Sequence, residues 1–135
     1  MPQNKIVVHY LDGRIIKGDT VDFLPAKPTF HLTLADASPP ARPVEVRVAD
    51  LKAIFFVKDL VGSRQRPPRR QEFAPGQTIQ GRKIRVIFTD GEILVGTTQG
   101  YDSKRPGFFV FPADTDANND RVFVLQGATR EVAFI

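Results

Sequence analysis

The chain has 135 residues, 41% hydrophobic and 25% charged, which is typical of a soluble globular protein with one ordinary domain or two very small ones. It contains no cysteine, so disulfides, thiolate metal sites and thiol nucleophiles are excluded. No apolar run reaches the ~20 residues needed to span a bilayer, and the first residues lack the apolar stretch of a signal peptide, so we predict a cytoplasmic protein.

The positive charge of the chain is concentrated in one segment. The net charge is +4. Residues 1–57 carry a net +1 and residues 83–135 a net −1, whereas residues 58–82 carry +4. A concentrated basic segment attracts anions such as nucleic acids, phosphates or acidic protein surfaces, although solvated linkers have the same composition.

The first 57 residues contain short alternations of apolar and polar residues separated by turn residues, which is typical of β-strands. Asp12-Gly13 lies between the first two strands and is a strong signal for a tight hairpin. Gly18 lies inside the second strand, where a glycine predicts a bulge or a sharp bend. We predict strands at residues 5–11, 14–23, 29–35, 44–48 and 53–57.

Residues 58–82 differ in composition and are predicted to form a basic, proline-rich linker. The prolines exclude a helix and favour extended or polyproline II conformations. Four arginines of this segment are candidates for binding an anion or a dinucleotide: Arg64, Arg66, Arg69 and Arg70.

The last 53 residues repeat the pattern of the first unit. When residues 5–57 are placed on residues 83–135 without a gap, 15 positions are identical. Asp90-Gly91 falls on Asp12-Gly13, and Gly96 falls on Gly18. The agreement indicates an internal duplication. We predict the second set of strands at residues 83–89, 92–101, 107–112, 121–125 and 131–135.

These elements predict an all-β protein with little or no helix. Five short, strongly bent antiparallel strands form a small barrel of the Sm or SH3 type, so we expect two such barrels in tandem. The predicted domains are residues 1–57 and 83–135, joined by the linker 58–82. A unit of this size buries little apolar surface, so we expect the repeats to pack on each other, on a second chain or on both.

Part of the second repeat resembles the Sm-like proteins. Its Gly96-x-x-x-Gly100-Tyr101-Asp102 is similar to the end of the first Sm motif. That family places an RNA-binding asparagine four residues after the aspartate, whereas this chain has Pro106 there and Pro28 at the equivalent position of the first repeat. A proline has neither an amide group to read a base edge nor a planar ring to stack on it. The resemblance implies the barrel architecture, and nucleic-acid binding is an alternative function.

A second resemblance is to the PilZ family of small barrels, which bind cyclic di-GMP. Their signature begins with Arg-x-x-x-Arg before the barrel, and Arg66 and Arg70 have this spacing and precede the second barrel. Arginine offers planar, bidentate donors to a phosphate and stacks on guanine. The rest of that signature, Asp/Asn-x-Ser-x-x-Gly, is matched in residue type but not in order by residues 102–107. A cyclic di-GMP receptor is therefore another alternative.

The third resemblance covers most of the chain. Segments 51–59, 90–96, 107–109 and 118–123 are similar to an uncharacterised bacterial family of tandem small β-barrels. Its members occur alone or beside signalling domains. The resemblance implies the two-barrel layout and a bacterial origin, and it implies no activity.

Residues that could support catalysis are scarce. The histidines are His9 and His31, and their counterparts in the second repeat are Ile87 and Phe109, so both are predicted to be ordinary strand residues. Two histidines without a third ligand make a poor metal site. The sequence shows no combination of nucleophile, base and orienting group and no phosphate-binding loop. We therefore predict no enzymatic activity, no metal site and no cofactor.

An aromatic and basic segment of the second repeat is a candidate partner surface. We expect at least one aromatic ring of this segment to face outward beside basic side chains. The residues assigned to this surface are Tyr101, Lys104, Arg105 and Phe108. The leading hypothesis is a non-enzymatic signalling or regulatory adaptor that binds a protein partner or associates with itself.

Overall fold

The fold is that of a computed structural model, which describes residues 4–35, 42–58, 60, 81–113 and 119–135. These residues form ten β-strands and two single 3₁₀ turns without any α-helix, so the prediction of an all-β fold is confirmed. The first half of the molecule contains β1 (Asn4–Tyr10), β2 (Ile15–Thr20), β3 (Thr29–Leu34), β4 (Val44–Arg47) and β5 (Leu51–Val57). The second half contains β6 (Arg82–Phe88), β7 (Ile93–Thr98), β8 (Gly107–Pro112), β9 (Asn119–Leu125) and β10 (Thr129–Phe134). The 3₁₀ turns are Val48–Asp50 and Gln126–Ala128.

The strands form one antiparallel sheet in the order β10-β6-β7-β8-β9-β5-β1-β2-β3-β4. Each half has the same internal order, with its last strand beside its first strand. The pairing also repeats residue by residue, because Ile6 lies opposite Gly18 in the first half and Ile84 lies opposite Gly96 in the second. The strands β4 and β10 lie at the two ends of the sheet.

Tight turns join the first two strands of each half, at the predicted Asp-Gly pairs. Gly13 and Gly91 adopt φ angles of 95° and 94°, a region that glycine enters without steric cost. The carboxylate of Asp12 accepts a hydrogen bond from the backbone N–H of Arg14 at 2.9 Å. Asp90 accepts the equivalent bond from Glu92 at 3.0 Å. Both turns are therefore fixed by their own local sequence.

The strands β2 and β3, and likewise β7 and β8, pair over only two residues. One end of β3 pairs with β2 and the other end pairs with β4, and β8 divides its pairing between β7 and β9 in the same way. Gly18 and Gly96 lie at these crossings, where a β-carbon would overlap the carbonyl oxygens of Thr33 and Phe111. The absence of a side chain thus allows two backbones to approach closely.

The second strand of each half ends earlier than predicted, at Thr20 and Thr98. The hydroxyl of Thr20 donates a hydrogen bond to the carbonyl oxygen of His31 at 2.8 Å. The backbone N–H of His31 donates to the carboxylate of Asp22 at 2.9 Å. Side chains therefore replace the backbone ladder at this point, and the chain leaves the sheet.

The strand β5 contributes to two hydrophobic cores. It pairs with β1 on one edge and with β9 on the other. Alternate side chains of a strand point to opposite faces, so Ile54 and Phe56 pack in the core of the first half, whereas Ala53, Phe55 and Val57 pack in that of the second. All five are at most 8% exposed. The contact between β5 and β9, here called the joint, makes the two halves one continuous structure.

The predicted linker lies largely outside the described residues. Arg64, Arg66, Arg69 and Arg70 fall there, so the boundaries 58–82 and the anion-binding hypothesis remain predictions. Among the described residues, no helix is long and apolar enough to cross a membrane.

Candidate binding groove beside the joint

A hollow of about 430 Å³ opens where the loops of the two halves meet. We call it the groove. Its wall from the first half comprises Leu11, the loop before β3 and the first 3₁₀ turn. Its wall from the second half comprises Pro106, Leu125 and the second 3₁₀ turn. This volume lies within the range of small-ligand sites, which are mostly apolar with a few polar groups.

The two walls of the groove are built from equivalent loops. Pro28 and Pro106 are counterparts in the two repeats, as are Ala49 and Gly127. The carbonyl oxygen of Pro28 accepts a hydrogen bond from the N–H of Val48 at 2.9 Å, and Pro106 accepts the equivalent bond at the same distance. These backbone groups are already paired, so the groove offers mainly apolar contact.

A second hollow of about 450 Å³ adjoins the groove and shares Ala26 and Pro106 with it. Its lining includes Arg105, Phe108 and Phe109. The two hollows together form an apolar surface on one side of the joint, and a cationic side chain lines each hollow. Lys27 lines the groove, and Arg105 lines the second hollow. The combination suits an apolar segment that carries a negative charge.

The predicted partner surface is only partly exposed. Lys104 and Arg105 are exposed, but Phe108 is only 3% exposed, so its assignment to an outward surface was wrong. The ring of Phe108 points into the core of the second half and meets the half-buried Tyr101 edge to face, with ring centroids 4.8 Å apart. Among the aromatic residues between positions 101 and 111, Phe111 has the most exposed ring, with 38% of its surface exposed.

Four rings pack together at the joint and form what we call the aromatic cluster: Phe23, Phe56, Phe109 and Phe123. Phe123 bridges the two halves within it, 5.2 Å from Phe23 and 5.0 Å from Phe109 between ring centroids. The guanidinium of Arg121 lies over Phe56 at 4.5 Å and over Phe109 at 5.1 Å. Edge-to-face rings and a stacked cation add to the stability that burial provides.

The groove itself was not predicted from the sequence. Its apolar residues Leu11, Val48 and Leu125 lie at strand ends and turns, where apolar residues have no periodic pattern. The one available signal was the proline repeated at positions 28 and 106, which was interpreted as a turn and as a departure from the Sm motif.

A model of a protein family matches residues 2–135, which is nearly the whole chain. The chain belongs to DUF6982, a family of unknown function. No curated protein and no solved structure matches it. The family membership agrees with the resemblance to an uncharacterised family.

Lys52 forms a charged link across the joint. Its Nζ donates hydrogen bonds to Asp90 at 2.6 Å and to Glu92 at 2.7 Å, and it lies 4.7 Å from the ring centroid of Phe88. Burial acts to lower the pKa of Lys52, but the hydrogen bonds to the two carboxylates outweigh it, so this pKa is raised. The hydrogen bond from Lys52 is also the main reason that the pKa of Asp90 is lowered. The Lys52 side chain is therefore committed to an ion pair.

The two histidines have separate environments. The ring of His9 packs on Phe55 with centroids 4.5 Å apart, and burial, followed by the charge of Lys52, lowers the pKa of His9. His31 is exposed and contacts Asp22 through Nδ1 at 2.7 Å. Within the described residues, no group of three or more His, Asp or Glu side chains is arranged to hold a metal ion.

We expect the pH dependence of stability to depend on His9. Because the pKa of His9 is lowered in the folded chain, the unfolded chain binds a proton more readily below about pH 6.5. The contribution of neutral His9 to the free energy of unfolding is therefore fully present above that pH. It is lost as the pH falls through the pKa of His9 in the folded chain. The variant His9→Ile should show a weaker loss of unfolding free energy between neutral and mildly acidic pH, measured by urea denaturation.

His31→Gln serves as the control because it leaves His9 in place. It should retain the loss of stability that His9 causes on acidification. If His9→Ile and the wild type lose stability equally, the assignment to His9 is wrong.

Proposed function

We propose that this chain is a non-enzymatic protein-interaction module, an adaptor of signalling or regulation. It binds a short apolar segment of a partner protein in the groove, with an acidic residue of that segment near Lys27 or Arg105. The observation that supports this most directly is the apolar groove at the joint, whose neighbouring backbone groups are already hydrogen-bonded. An adaptor role also agrees with the resemblance to chains that occur beside signalling domains.

The chemistry of the described side chains favours binding over catalysis. Lys52, whose side chain is 13% exposed, has both carboxylate neighbours as partners. His9 packs on the ring of Phe55, and His31 contacts the carboxylate of Asp22 through Nδ1. Catalysis needs a nucleophile and a base within hydrogen-bond reach of each other, oriented by a third group. The described side chains provide no such set.

We infer that each half is a small barrel of the Sm or SH3 type and that the two arose by duplication. The support is the identical strand order of the halves and the equal register of β1–β2 and β6–β7. The alternatives, cyclic di-GMP binding through Arg66 and Arg70 or nucleic-acid binding, depend on linker residues outside the described part.

The proposal is tested with a display library of short random peptides selected on the purified chain. Selected peptides should share an apolar core with an acidic residue. The variant Ala49→Glu places a carboxylate in the groove, where desolvation of the charge opposes an apolar ligand. We expect it to weaken binding at least about tenfold, or 1.4 kcal/mol, by titration calorimetry.

Ala35→Glu is the matched control, since Ala35 is exposed and does not line the groove. It should bind the selected peptides as the wild type does. Titrations with cyclic di-GMP and with polyuridine are run in parallel. The proposal fails if no peptide is selected, if Ala49→Glu binds normally, or if cyclic di-GMP binds saturably and Arg70→Ala abolishes that binding.

A further inference from the structure

The two ends of the sheet are equivalent to the two sides of the joint. The end strand β10 is the counterpart of β5, and the end strand β4 is the counterpart of β9. In the joint, Ala53 lies opposite Val124 and Ile54 lies opposite Phe123. If the end strands of two copies paired in the same register, Glu131 of one copy would lie opposite Val46 of the other.

Both ends of the sheet carry exposed apolar residues whose counterparts are buried at the joint. Val44 on β4 is 37% exposed, and Phe134 on β10 is 40% exposed. Their counterparts at the joint, Val122 and Phe56, are 0% and 4% exposed. The ends thus resemble the joint with its partner strand removed, and such edges favour pairing with another chain.

One difference between the repeats, on β10, opposes that pairing. Ala53 is fully buried at the joint, and its counterpart on β10 is the exposed Glu131. In an equivalent contact between copies, the carboxylate would be brought against Val46, which belongs to the core of the first half. Burial of an unpaired charge is costly, and charged side chains that point inward are a known protection of sheet edges.

Three further differences between the repeats, on or near β4, also oppose the pairing of the end strands. Phe109 and Phe123 of the aromatic cluster have the polar counterparts His31 and Glu45. Arg121, which stacks on Phe56, has the counterpart Pro43. A proline has no N–H to donate to a neighbouring strand. The end of the sheet at β4 therefore cannot reproduce the aromatic cluster.

We propose that β4 and β10 have the residue pattern to pair head to tail between copies of this chain, and that four residues prevent this pairing in the wild type. These residues are Glu131, Glu45, His31 and Pro43. The wild-type chain is then a capped pair of repeats that does not extend into rings or filaments. This inference does not depend on the groove or its ligand, because it concerns the sheet edges alone.

The test uses two variants that each restore one side. The β4 variant carries His31→Phe, Pro43→Arg and Glu45→Phe, and the β10 variant carries Glu131→Ala. Analytical ultracentrifugation should find the wild type and each variant alone as monomers of about 15 kDa. A mixture of the two variants should form a complex of twice that mass and no larger species, because the other end of each partner remains blocked.

Non-specific association of the added apolar residues is distinguished by the mixing. If either variant alone associates as strongly as the mixture, or if the folded variants remain monomeric when mixed, the proposal is wrong. It is also wrong if the wild type associates and Val44→Lys abolishes that association. Far-ultraviolet circular dichroism checks folding, and the pair Glu45→Phe with Glu131→Ala replaces the larger set if the β4 variant does not fold.

Discussion

Replacing Phe123 with alanine should lower the free energy of unfolding by about 3–5 kcal/mol, the usual cost of deleting a fully buried aromatic ring. The ring is 1% exposed and packs on Phe23 and Phe109 in the aromatic cluster. The cavity would open at the joint itself, since Phe123 contacts rings from both halves. Small domains have a total stability of about 5–15 kcal/mol, so the loss is a large part of the whole. Equilibrium denaturation in urea measures it.

Phe111→Ala is the matched control for this prediction. Phe111 belongs to the neighbouring strand β8 but is 38% exposed and does not belong to the aromatic cluster. Its removal should cost about 1 kcal/mol or less. Equal costs for the two variants would show that the aromatic cluster does not stabilise the joint.

Gly18→Ala should destabilise the chain by about 1–3 kcal/mol or more, although it adds a single methyl group. The new β-carbon would overlap the carbonyl oxygen of Thr33, and a backbone oxygen held in a sheet cannot move aside as a flexible side chain does. The strands β2 and β3 would have to separate at the place where they pair. The change in unfolding free energy is again read from urea denaturation.

The same substitution at Gly100 should have the opposite sign. A β-carbon at Gly100 meets no atom within 4 Å, and its backbone does not adopt the left-handed φ that favours glycine. Alanine there should stabilise the chain by about 0.4–1 kcal/mol, because it reduces the conformational entropy of the unfolded state. A loss of stability at Gly100 equal to that at Gly18 would refute the close-approach explanation.

The local structure could be predicted because its causes are local. The Asp12-Gly13 and Asp90-Gly91 turns are fixed by hydrogen bonds that span two residues. Buried residues alternate along β1, where Ile6 and Val8 are both fully buried. Such patterns indicate strands before any tertiary contact is known.

The joint and the groove could not be predicted in this way. The joint pairs β5 with β9, whose residues are about seventy positions apart in the chain, and no local pattern specifies which edges meet. A signal was present in the differences between the repeats, since Phe109 and Phe123 replace His31 and Glu45. The outward assignment of Phe108 failed because alternation gives two faces and does not say which one a second layer will cover.

The shared strand β5 has a consequence for the meaning of a domain in this chain. One face of β5 completes the core of the second half. A fragment that ends before β6 would therefore expose Ala53, Phe55 and Val57 to water. The complementary fragment would have an open core. The covalent connection therefore acts as a tether that raises the effective concentration of one half for the other. In this sense the molecule is an intramolecular complex, and its halves reach their stable form only together.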